Sequence, residues 1–98
     1  MLADASTPLL DKTTDQIKEY LWKQGMSTAP TGMYLAARYQ LRTEICGKPD
    51  MDEEVQMHLR MAAVEAPPAV IATWHALFKK KMREVLLANP SEAGEFCK

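Results

Sequence analysis

With 98 residues, 47% of them hydrophobic and 26% charged, the chain has the make-up of one small globular domain with a single core, and a disordered segment is excluded. A formal net charge of −1 excludes the overall basic excess of proteins that wrap nucleic acid or coat an anionic membrane, so any basic function would be local. Nothing approaches the roughly 20 consecutive apolar residues that span a bilayer, and Met1 to Leu10, with Asp4 and no Lys or Arg, lacks the pattern of a secretory signal, so the expectation is a soluble cytoplasmic protein with no membrane partner.

Periodicity and end signals predict an all-α fold, a compact bundle of four helices over about 13–24, 31–46, 50–66 and 68–88. They form a single domain, ordered over about 13–89, with flexible tails at 1–10 and 91–98. Thr13 and Gln16 have capping-box spacing at the start of the first helix, and Gly25 is placed to stop it. Trp22 falls off the face formed by Ile17, Tyr20 and Leu21. It is either a contact residue or a cover for a tail containing Leu9 and Leu10.

Thr31 is the expected cap of the second helix, which runs to Cys46 and ends at Gly47 with Pro49 beyond. Tyr34, Leu41 and Ile45 form one apolar stripe, and Leu35, Tyr39 and Cys46 form another. Arg38 and Arg42 lie between them, one turn apart. Guanidinium groups beside tyrosines can clamp phosphates or stack on bases. Equally, their stems can cover apolar surface while the heads meet water or acidic side chains.

Asp50 and Glu53 repeat the capping spacing, and Asp52, Glu53 and Glu54 suit the positive end of a helix dipole. The third helix then carries two stripes, Met51, Val55, Leu59 and Ala62 on one side and Met57, Met61 and Val64 roughly opposite. Such a helix is either central and covered on both sides, or it offers an adaptable methionine-rich surface to a partner or a second copy of the chain.

Pro67 and Pro68 separate the third helix from the fourth and suit the latter's first turn. Val70, Ile71, Trp74, Leu77, Phe78, Met82 and Val85 share one side, with Lys79, Lys80 and Arg83 behind. A basic helical face can hold a phosphate backbone in a salt-sensitive way. If the third and fourth helices formed an antiparallel hairpin, Glu54 would instead lie near Lys80 and offset that charge. Lys81 projects on the apolar side and must reach an edge.

Chemistry finds little support. Cys46 and Cys97 form no C-x-x-C pair and read as reduced thiols. Glu54 and His58 could share a face, but a catalytic zinc site usually takes three protein ligands; His75, at the margin of the apolar face, reads as structural. The glycines stand singly at helix boundaries, without a phosphate loop. Neither enzyme activity nor a metal or cofactor is expected.

Asp15, Ile17, Leu21 and Gly25, then Gly32, Arg38 and Tyr39, then Trp74 ahead of basic residues, resemble in order the signposts of the small theta subunit of bacterial DNA polymerase III. That resemblance implies a helical accessory of a proofreading exonuclease. Two insertions are needed, and the Gly25–Gly32 loop and the acidic start of the third helix have no counterpart, so the resemblance stops short of family membership. The leading expectation is a non-catalytic adaptor, accessory subunit or inhibitor that binds another protein, or a second copy of itself, through Trp22, Met57, Met61 and Val64. The alternative is a nucleic-acid-binding or polymerase-accessory protein using Arg38, Arg42, Lys79, Lys80 and Arg83.

Overall fold

The computed structural model describes residues 8–98, which form α1 (Pro8–Lys23), α2 (Ala29–Cys46), α3 (Asp52–Ala62), α4 (Pro68–Ala88) and α5 (Pro90–Phe96). The all-α expectation holds, with five helices in place of four. No described helix is long and apolar enough to cross a membrane.

The extra structure lies at both ends. Helix α1 starts at Pro8, so Thr13 is internal and forms no capping box; its neighbour Thr14 is buried and donates its hydroxyl to the Leu10 carbonyl at 3.0 Å. Leu10, Thr14 and Leu21, spaced by whole turns, form the buried side of α1, with Ile17 partly buried between them. Of the predicted N-terminal tail, residues 8–10 are therefore helix and 1–7 lie outside the described residues. At the other end, Pro90 opens α5, and Phe96, only 1% exposed, joins the core. The predicted C-terminal tail is thus a packed element.

The helix ends at the second and third segments also shift. Helix α2 begins before Thr31, and neither its N-cap Thr28 nor the α3 N-cap Met51 makes a side-chain cap, so the expected caps at Thr31 and Asp50 are absent. Gly47 closes α2 in the left-handed conformation, φ 69°, which glycine adopts without steric cost. Helix α3 stops at Ala62, and residues 63–66 form turns ahead of Pro67, whose ring disfavours helix in the residue before it.

The central helix is α2, not α3. It packs against α3 and against α4, which explains its two apolar stripes. Small residues let its neighbours approach: Ala36 and Ala37 are fully buried, and a Cβ on Gly32 would stand 3.2 Å from the His58 carbonyl oxygen. With α3 and α4 both leaning on α2, the expected α3–α4 hairpin is not formed, and the acidic start of α3 does not serve as counter-charge for α4. The core gathers Leu10, Leu21, Met33, Leu41, Phe78, Met82, Leu86 and Phe96, with Leu86 buried and Val70 left 36% exposed on α4.

Cys46 and Cys97 are joined in a disulfide, with Cα atoms 5.4 Å apart, which corrects the expectation of free thiols. Helix α5 folds Cys97 back over the end of α2, a proximity across 51 residues of sequence that no local motif announces. In the chain-entropy account a cross-link closing a loop of that length stabilises the fold by about 4 kcal/mol.

Candidate functional site

The outward side of α3 and the turn after it carry three exposed apolar side chains of the predicted contact set: Met57 is 41% exposed, Met61 62% and Val64 86%. Val64 lies in the turn beyond α3, its N–H donating to the Met61 carbonyl at 3.3 Å. The second stripe is therefore open, because α2 covers only the Val55 and Ala62 side.

One carboxylate organises this end of the molecule. Glu65 Oε1 accepts the N–H groups of Thr28 at 2.9 Å and Ala29 at 2.6 Å, and the Ser27 N–H lies 3.1 Å from both its oxygens. The Ser27 hydroxyl donates to Glu65 Oε2. Helix α2 thus receives from the α3–α4 turn the cap that its own N-terminal residues do not provide. The Ser27 hydroxyl first, then the Ala29 N–H and the other backbone donors, push the Glu65 pKa down to about 2, so the carboxylate is charged throughout the neutral range.

Trp22 joins the same junction. Its indole Nε1 donates to the Ser27 carbonyl at 3.1 Å, while the side chain stays 45% exposed. It lies against the α1–α2 loop rather than under Leu10, which is buried. Ser27 in turn lines a shallow groove of about 340 Å³ with Thr31, Leu35, His58 and Met61. The structure therefore links Trp22, Met61 and Val64 through Ser27 and Glu65. Met57 sits one turn further along α3, beside Glu53, Glu54 and Arg60. Asp52, Glu53 and Glu54 make no ion pair among the described residues.

The basic residues are dispersed among internal partners. Lys79 Nζ is 2.5 Å and Arg83 Nη2 2.7 Å from opposite oxygens of Glu44, which lash α4 to α2. Lys79 first and Arg83 second hold the Glu44 pKa below its ordinary value. Arg38 donates to the Tyr34 hydroxyl at 3.1 Å and lies 4.8 Å from the Phe96 ring centroid; Arg42 donates to the Lys98 carbonyl at 3.2 Å. Lys81 is exposed, 3.8 Å from Glu84, and Lys80 is exposed with no ion pair among the described residues.

The titratable groups do not converge. His58 stacks on Tyr39 with ring centroids 6.0 Å apart, and His75 Nε2 lies 2.8 Å from Gln40 Oε1. Burial, and secondarily the Lys79 charge, push the His75 pKa below its ordinary value, leaving the ring neutral at neutral pH. No group of three potential metal ligands occurs among the described residues.

Sequence reasoning missed Glu44, Glu65 and Glu92, the three carboxyl groups that tie distant elements together. The one available signal was a helix start at Ser27–Ala29 with no acidic residue of its own. Comparison of the chain with protein-family models, with curated proteins and with solved structures gives no match. The polymerase-subunit resemblance therefore rests on its quoted residues alone.

Proposed function

We propose that this protein works without chemistry of its own, as an adaptor, accessory subunit or inhibitor that docks another protein on the outward face of α3. The observation that carries the reading is the pairing of Met61 and Val64, 62% and 86% exposed, on a junction held rigid by the Glu65 bonds to the start of α2. A fixed backbone support spares a partner the cost of ordering the loop, the unbranched thioether of Met61 adapts to irregular partner shapes, and Trp22 adds an aromatic anchor at the same end. The nucleic-acid alternative is weakened by the internal partners of Lys79, Arg83, Arg38 and Arg42.

The test is affinity capture by the wild type and by Met61→Glu, Val64→Glu and Trp22→Ala variants from extracts of the source cells, with helicity measured in parallel. Loss of a specific captured protein by the folded variants supports the reading. Identical capture by all of them removes this face from the account. Light scattering separates the homodimer, which would double the 11.0 kDa mass and revert to monomer in Met61→Glu.

A further inference from the structure

We infer that α5 is a thiol-controlled latch: the Cys46–Cys97 disulfide keeps it seated, and a dithiol reductant releases it and opens the first turn of α1. At seven residues α5 is too short to persist as an isolated helix, so its order depends on what holds it. Three attachments do so. Phe96 is buried beneath the Arg38 guanidinium, Glu92 is 6% exposed with its two oxygens taking the Leu9 and Leu10 N–H groups at 3.2 and 3.1 Å, and Cys97 is bonded to Cys46.

The connection on the other side is a single residue. Asn89, at φ −133° and ψ 82°, is all that separates α4 from α5, and its side chain donates to the Val85 carbonyl at 2.8 Å. Oxidised, α5 is tied covalently at both ends; reduced, its one covalent tie is Asn89, and only the seating of Phe96, the Glu92 bonds and the Arg42 bond to the Lys98 carbonyl oppose its opening. Both cysteines are partly exposed, so a reductant can reach the bond.

The exchange balances as a two-electron step. One thiolate of the dithiol attacks a sulfur of the Cys46–Cys97 bond and forms a mixed disulfide, and the second thiol displaces it. Two electrons and two protons pass to Cys46 and Cys97, and the reductant leaves as its own disulfide. Departure of α5 uncovers the apolar seat of Phe96 and opens the Leu9 and Leu10 amides to water. This device is separate from the α3 face and stands whether or not that face binds a protein.

Native-state hydrogen exchange on the full chain, oxidised and after dithiothreitol, tests it, with Cys97→Ser as a form that cannot be cross-linked. Loss of a cross-link that closes the short segment from Asn89 to Cys97 should speed exchange in α5 and at Leu9 and Leu10 by roughly 50-fold relative to amides in the middle of α4. Helices α2, α3 and α4 should stay protected in both reduced forms. A uniform loss of protection across all helices, unchanged protection in α5, or unfolding of the whole chain on reduction would each overturn the latch.

Discussion

Helices α1 and α2 both have their opening amides closed by a glutamate from a distant part of the chain, yet the two closures are built differently. Glu65 arrives from a turn pinned between α3 and the Pro67–Pro68 step, and faces solvent while meeting the Ser27, Thr28 and Ala29 donors. Glu92 arrives from a short appended helix, is buried, and among the described residues accepts from Leu9 and Leu10. The first is secured by the main body of the fold, and the second depends on the seating of Phe96 and on a covalent tie.

Phe96→Ala should break the α1 closure most severely. Emptying a fully buried aromatic site costs about 3–5 kcal/mol, and urea denaturation of the oxidised protein should show a loss of that order while the Ser27–Ala29 amides keep their protection. Glu92→Ala leaves the Leu10 N–H unpaired in a buried site and should cost about 1–3 kcal/mol in the same assay.

Glu65→Gln should have a smaller effect at neutral pH, since water can replace the lost acceptor at an exposed junction. Its signature is in acid. The folded pKa of about 2 lies below the ordinary 4.5, so this group contributes stability that is full above pH 4.5 and is lost as the pH falls toward 2. The variant should lose less stability than the wild type across that window, measured by thermal melts at stepped pH. Glu44, lowered in the same direction by Lys79 and Arg83, contributes with the same sign to both proteins. Glu44→Gln should change stability by less than about 1 kcal/mol, because that ion pair is substantially solvated, and added salt should shrink the difference. Met61→Glu, on an open face, should shift the melting midpoint least, within about 0.5 kcal/mol.

The all-helical architecture and the course of α2 and α4 were legible because apolar spacing and proline or glycine boundaries are local signals. Which helix lies in the middle was not, although α2 carried the clue in Gly32, Ala36 and Ala37, residues small enough for two neighbours to approach. Periodicity showed that Met57, Met61 and Val64 share a side, but whether that side is covered depends on tertiary packing. The caps lie elsewhere for a related reason: a capping box takes its oxygen from a few residues away, whereas Glu65 and Glu92 come from other elements. The destination of the basic residues was likewise hidden until α4 was placed beside Glu44.

The close approach at Gly32 couples evolution of the proposed docking face to a residue that is not part of it. Met57, Met61 and Val64 can drift as a binding surface changes, yet any side chain at position 32 would set a Cβ 3.2 Å from the His58 carbonyl oxygen, a contact tight enough that the α3 backbone there must give slightly. A lineage that preserves the position at which those side chains are displayed would keep a hydrogen at that spot, and one that loses it would have to let the α3 backbone at His58 yield by a few tenths of an ångström.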